Sequence, residues 1–297
     1  MNATQVAGLP TKTITNQRSA FRSIERFLKR NPLALVGIIL VVATVLIAIL
    51  ANWITPYDPI KPVLLEKLQA PSAQHIFGTD DMGRDIFSRV LMGTRVSLIS
   101  ALIIIAISGF VGLLVGLAAG YWGGWIDDLL MRLTDIFLAF PALVLAMVIS
   151  ATLGPSLENA LIAIATVWWP WYARLVRGQV IAARNKEYVT AATCLGFSPL
   201  RIIFRHILPN VLGPVIVQAT LDVGNTILLT ASLSFIGLGA QPPTPEWGAM
   251  VSIGRLYMLS YWWVPTIPGF AILLSVIGFN LLGDAVRDYS DVRSRQL

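Results

Sequence analysis

Asp222 is an acid inside an apolar run, 210–237, with Gln218 and Asn225 three or four residues away on the same helical face. A carboxylate in hydrocarbon is costly, so such a group faces a cavity or a partner. Two roles fit Asp222: it lines a solute path with Gln218 and Asn225, or it meets a cation on another subunit. Other chemistry is sparse. His75 and His206 fall on opposite sides of the membrane the chain is expected to cross, so they cannot share a metal. Cys194 is the only cysteine, which excludes an internal disulfide and reads as an inert cytoplasmic thiol. Gly78–Asp85, GTDDMGRD, is acidic and glycine-rich. It lacks the ligand spacing of a calcium loop and Arg84 brings the wrong charge, so it reads as a structured cap ahead of a helix. No Gly-Lys pair occurs in the chain, hence no phosphate-binding loop. No cluster of His, Cys or acids at one depth supports a membrane-embedded enzyme.

The elements that must carry these residues follow from composition. Of the 297 residues, 56% are hydrophobic and 13% charged. A soluble domain carries about 25% charged residues, so lipid has to replace water over much of this surface, and the chain reads as an all-α integral membrane protein. Residues 1–32 form a polar, basic N-terminal tail, and 33–54 a first transmembrane helix with Trp53 and Tyr57 at its interfacial end. Residues 55–94 form a loop, 95–285 a core, and 286–297 a C-terminal tail. Within the core, apolar runs at roughly 95–121, 129–152, 157–177, 210–237 and 265–285 make six expected spans, with Pro141 and Pro170 kinking two of them. The stretch 247–263, bounded by prolines, reads as a surface-lying or re-entrant segment.

Orientation follows from the cations. With the N-terminus inside, sixteen of the 22 Lys and Arg fall on the cytoplasmic side and six outside, which puts both termini in the cytoplasm. The basic residues flank spans rather than forming one patch, which argues against nucleic acid. A cytoplasmic segment, 178–209, separates the fourth and fifth spans. Tyr188, Ala191, Ala192 and Leu195 recur at helical spacing, Gly196 permits a turn, and Pro199 and Pro209 bound a second helix. It is a helical hairpin, either lying on the membrane or docking a cytoplasmic partner.

The stretch Thr190–Pro209, TAATCLGFSPLRIIFRHILP, resembles the EAA loop of bacterial ATP-binding-cassette (ABC) importer permeases. Ala191, Ala192, Gly196, Leu208 and Pro209 hold the family's spacing; Thr190 replaces its Glu and His206 its Ile. Glu187 lies one turn earlier. Gly78–Leu98, Met131–Pro141, Leu233–Met250 and Phe279–Asp288 are similar to the C-type permease subunit of dipeptide and oligopeptide importers, and the likeness runs over roughly 25–290.

The resemblance implies a type I ABC importer permease fold in the bacterial inner membrane. It implies a second homologous permease subunit, two cytoplasmic ATPase subunits carrying ATP and Mg, and an extracytoplasmic substrate-binding protein. This chain would carry no cofactor. Glu187, Tyr188, Thr190, Ala191, Ala192, Leu195, Gly196, Leu208 and Pro209 would couple it to an ATPase. Peptides lead the implied substrates, with nickel, glutathione-like compounds, opines and oligosaccharides as alternatives. A self-sufficient secondary transporter is the competing class, but it calls for inverted repeats and acids in several spans.

Overall fold

The computed structural model describes residues 31–294, the side chains to 288; the basic N-terminal tail and most of the C-terminal tail lie outside them. Ten α-helices are distinguished here among the described residues: α1 Pro32–Ile54, α2 Ile86–Trp122, α3 Gly124–Leu138, α4 Ala142–Leu153, α5 Leu157–Arg184, α6 Glu187–Cys194, α7 Pro199–Ile202, α8 Leu208–Ile236, α9 Trp247–Gly254 and α10 Trp263–Ser294. Four runs are long and apolar enough to cross a membrane: α1, α2, the continuous stretch Pro199–Ile236 and Trp263–Asp288 of α10. The number becomes five if the bent pair α3 and α4 is one span. The run expected at 157–177 is helical over all of α5, whose middle carries Trp168, Trp169, Trp171, Tyr172 and Arg174 and is therefore less apolar.

Two boundaries differ from the hydropathy reading, each for a local reason. Helix α2 starts nine residues before the apolar run at 95, because Asp85 caps it by accepting the Ser88 N–H at 2.7 Å. The 37-residue helix is therefore about 55 Å long, more than a hydrocarbon core of about 30 Å requires. The run 129–152, expected as one kinked span, is two helices meeting at 86°. Pro141 stands at the bend with an extended ψ of 124°. Proline denies the helix an N–H and disfavours helical geometry in the residue before it.

The centre of the molecule is the packing of α2 on α5. Gly112, Gly116 and Gly120 make one small-residue stripe on α2. A Cβ on Gly112 would lie 2.6 Å from the Trp169 carbonyl oxygen and run into Tyr172. On Gly116 and Gly120 it would lie 2.6 Å from Val176 Cβ and 2.7 Å from Val180 Cβ. Three successive turns of each helix thus touch backbone to side chain with no methyl between. Gly37 of α1 sits on Leu281 of α10, and Gly278 of α10 on Leu40 of α1, by the same device. Three apolar clusters surround these seams. One joins α1, α2, α8, α9 and α10, including Trp247, Ile227 and Phe279. A second gathers the ends of α2, α5 and α8 around α6 and α7. The third joins α4, α5 and α8 around Ile104 of α2.

The seam makes a sharp test. Gly112→Ala should lower the melting temperature of the detergent-solubilised protein, by about 1–3 kcal/mol of overpacking. Gly178→Ala, where nothing lies within 4 Å, should leave it unchanged, and equal melting of the two variants would refute the seam.

Candidate functional site

Helix α6 follows Lys186, its N-cap residue, and has Glu187 in its first turn. It ends in a Schellman turn: the Phe197 N–H donates to the Ala192 carbonyl at 3.2 Å and the Gly196 N–H to the Thr193 carbonyl at 2.9 Å. Gly196 takes φ 75°, a conformation costly to an L side chain. Pro199 then opens α7. Between α7 and α8 the chain winds one π-turn, Ile203–Ile207, in which the Leu208 N–H reaches the Ile203 carbonyl. Pro209 has no N–H to return to Arg205, and the wider turn gives its ring room. The hydropathy pattern gives no warning of this turn.

The expected apolar face of α6 divides in two. Ala192 faces inward with Val189, packed with Val176, Val180, Ile202, Ile203, Ile207 and Val211. Tyr188 (39% exposed), Ala191 and Leu195 (73% exposed) face outward, as do Glu187 and Thr190. Leu208 packs at the edge of the inner cluster while Pro209 is exposed. Polar contacts brace the hairpin: Asn210 Nδ2 donates to Tyr188 Oη at 3.2 Å, Phe197 stacks on His206, and the Arg201 guanidinium lies 5.4 Å from the Phe197 ring centroid. The helix thus has a fixed apolar base and an uncovered apolar outer face. Val189, inward-facing and decisive, was missed by a reading that followed the i, i+3, i+4, i+7 stripe.

Two ion pairs hold α3 to α5 beside this base. Arg177 reaches Asp127 with two hydrogen bonds of 2.5 and 2.6 Å, and Arg174 reaches Asp135 at 2.6 Å. The local spacing suits an Arg132–Asp135 pair, but Asp135 is taken by Arg174 from the neighbouring helix.

Asp222 is 2% exposed on α8. Its Oδ1 accepts from Gln218 Nε2 at 3.1 Å. The Tyr172 hydroxyl and Trp168 indole of α5 interact with the same carboxyl, yet Asp222 Oδ2, Tyr172 Oη and Trp168 Nε1 all lack a hydrogen-bond partner of good geometry. Asn225, exposed on the next turn, also interacts with this carboxyl. The structure thus brings Gln218 and Asn225 to Asp222 and adds two aromatic donors that lie 50 residues away or more in sequence.

At the other end the acidic loop is a built cap. Asp80 accepts from the Met82 and Arg84 backbone N–H groups and from Arg84 Nε at 2.7 Å. Arg89 donates to the Pro59 carbonyl at 2.6 Å and the Pro243 carbonyl at 3.3 Å, tying this loop to the one before α9. His75 lies between Asp85 at 3.0 Å and Glu66 at 3.3 Å. Burial pushes the Asp81 carboxyl above the usual carboxylate range, and neighbouring Asp80 adds to it. Burial also raises Glu246, opposed by the Gly248 and Ala249 N–H groups that its oxygens accept as the N-cap of α9. The 247–263 segment does not simply lie on a surface: Trp247 is buried, covers Gly93, and donates to the Val90 carbonyl at 3.1 Å, while Leu256 and Leu259 are exposed.

Residues 112–296 match the family model of the binding-protein-dependent transport system inner membrane component. The chain belongs to this family. Residues 19–71 match a second model, the N-terminal transmembrane domain of oligopeptide transport permease C. The probable D,D-dipeptide transport system permease protein DdpC of Escherichia coli (strain K12) is 49% identical over 267 residues, covering 90% of each chain. The dipeptide transport system permease protein DppC of Alkalihalophilus pseudofirmus is 49% identical, over 93% of this chain and 91% of its own. Among solved structures, an amino acid ABC transporter aligns over 71% of this chain and 95% of its own with TM-score 0.53 at 16% identity. The methionine transporter MetNI, facing inward, gives 0.50 at 21% identity over 65% and 94%. At those identities the likeness is one of fold. The chain is a multi-pass permease subunit of an ABC importer in the inner membrane, and ATP hydrolysis belongs to other subunits.

Gly196→Ala should cost the α6 terminus about 1–2 kcal/mol, read as faster amide exchange at Gly196 and Phe197; unchanged protection there would exclude the left-handed turn.

Proposed function

We propose that this permease imports dipeptides and oligopeptides, driven by ATP and Mg bound to separate ATPase subunits that contact α6. The observation carrying this is the α6 geometry in a chain of this family: an apolar outer face left uncovered on a base too well packed to yield. The relatives named for dipeptides support the peptide assignment. Nickel, glutathione-like compounds, opines and oligosaccharides are the alternative cargoes.

In this reading the chain crosses the membrane six times, with α3 and α4 as one broken span and α5 as another, and both termini are cytoplasmic. It pairs with a second homologous permease above two ATPases and receives solute from an extracytoplasmic binding protein. Glu187, Tyr188, Thr190, Ala191, Leu195 and Gly196 meet the ATPase. Ala192, Leu208 and Pro209 hold the helix in place, so that a push on α6 becomes a rigid-body movement of α5 and α8. Asn225 and Gln218 face the solute path, with Asp222 behind them. The cap around Asp80 and Arg89, with 240–263, meets the binding protein.

Leu195→Asp should leave the melting temperature unchanged, since the side chain is exposed, and abolish co-purification of the ATPases. Val189→Asp buries a charge in the base and should cost more than about 3 kcal/mol. Uptake into proteoliposomes by this chain alone, without ATP, would replace the importer reading with a secondary transporter.

A further inference from the structure

The chain reaches α6 through α5 and leaves its segment through α8. Any displacement of α6 therefore enters the bilayer by these two helices. Near the cytoplasm they meet through Val176, Val180, Ile207 and Val211, an apolar contact without directional preference. Deeper in the bilayer, Asp222 of α8 meets Tyr172 and Trp168 of α5.

We propose that Asp222, through Tyr172 and Trp168, is the positioning residue that makes α5 and α8 move as one body when α6 is displaced. The inference rests on α6 being the ATPase contact. Tyr172 is fully buried, and its Cβ lies where Gly112 of α2 leaves space. Its hydroxyl is thereby pinned to the central seam. Asp222 is fixed on the other side, where Gln218 holds Oδ1. That leaves Oδ2 without a well-formed hydrogen bond in a carboxyl that interacts with two neighbouring donors of α5.

In a low-dielectric site an oxygen without a donor is expensive, and so is a donor without an acceptor. Sliding α8 away from α5 would carry Oδ2 out of reach of both donors and keep all three groups unpaired. A small shift toward α5 would give Oδ2 its hydrogen bonds. The contact therefore favours joint movement and tightens in the second transport state, giving it the differential energy that a coupling element needs. Hydrogen bonding, rather than net charge, carries the effect, because both facing groups on α5 are neutral donors.

The test uses the complete importer (both permeases, ATPases and binding protein) in proteoliposomes, reading dipeptide transported per ATP hydrolysed. Asp222→Leu and Tyr172→Phe should lower this ratio about tenfold, within the usual range of coupling between linked sites. Asp222→Asn keeps an acceptor and should restore most of it. Spin labels at the cytoplasmic ends of α5 and α8 should hold one distance through the ATP cycle in the parent protein and two in Asp222→Leu. If that variant does not assemble, Tyr172→Phe, which removes a single oxygen, decides alone. An unchanged ratio in Tyr172→Phe, or an Asn variant as impaired as Leu, overturns the inference. ATP-independent uptake by the parent importer would instead overturn the reading of α6 on which it rests.

Discussion

The approach of α2 to α5 at Gly112, Gly116 and Gly120 is the constraint from which the rest follows. In a bilayer the solvent is as apolar as the side chains, so two helices gain little from hiding leucines from it. Close van der Waals contact is what remains, and a glycine stripe is how a backbone comes near enough. Tyr172, Val176 and Val180 fill that stripe. One buried seam thus fixes the height of α5, and with it the depth of Tyr172 and the starting point of α6.

Around that fixed pair the polar groups divide by depth. At the end that carries the acidic loop, Asp80, Arg84, Asp85 and Arg89 satisfy one another and the backbone, and the helix cap doubles as a clamp on the 240–246 loop. Beside the base of α6, Arg174 and Arg177 hold α3 through Asp135 and Asp127. Asp222 differs from both sets. It has one well-formed hydrogen bond, to Gln218, and an oxygen without one, in the region where leaving a polar group unmatched is most costly. Well-satisfied networks serve as struts, whereas the Asp222 carboxyl, at the junction of α5 and α8, leaves one oxygen without a well-formed hydrogen bond.

Helix α6 shows how one short helix can be anchored from beneath while its outer face stays uncovered. Eight residues are too few for a stable helix in water. Val189 and Ala192 secure it from beneath, and the Schellman turn at Gly196 closes its end. Ala191 and Leu195 are then exposed beside the Tyr188 ring, whose hydroxyl alone is engaged, by Asn210. The replacement of the family's Glu by Thr190 leaves this division intact, because position 190 is exposed.

The sequence by itself determined the membrane class, most of the helices, the helical hairpin after Gly178 and the presence of an acid in an apolar helix at Asp222, because apolar run length, proline and glycine placement and an isolated acid are local properties. The likeness to importer permeases was equally legible, in motifs scattered from Gly78 to Asp288. Only the tertiary structure decided which residues of α6 face inward, since a stripe of apolar residues does not say which edge is covered. It also decided that Asp135 pairs with Arg174 rather than Arg132, that the run 129–152 breaks by 86° at Pro141, and that Tyr172 and Trp168 stand beside Asp222. Each depends on where a distant segment comes to rest, and in this chain that is settled by close packing between helices, whose four-residue stripes of small residues mark a contact face without naming the helix it meets.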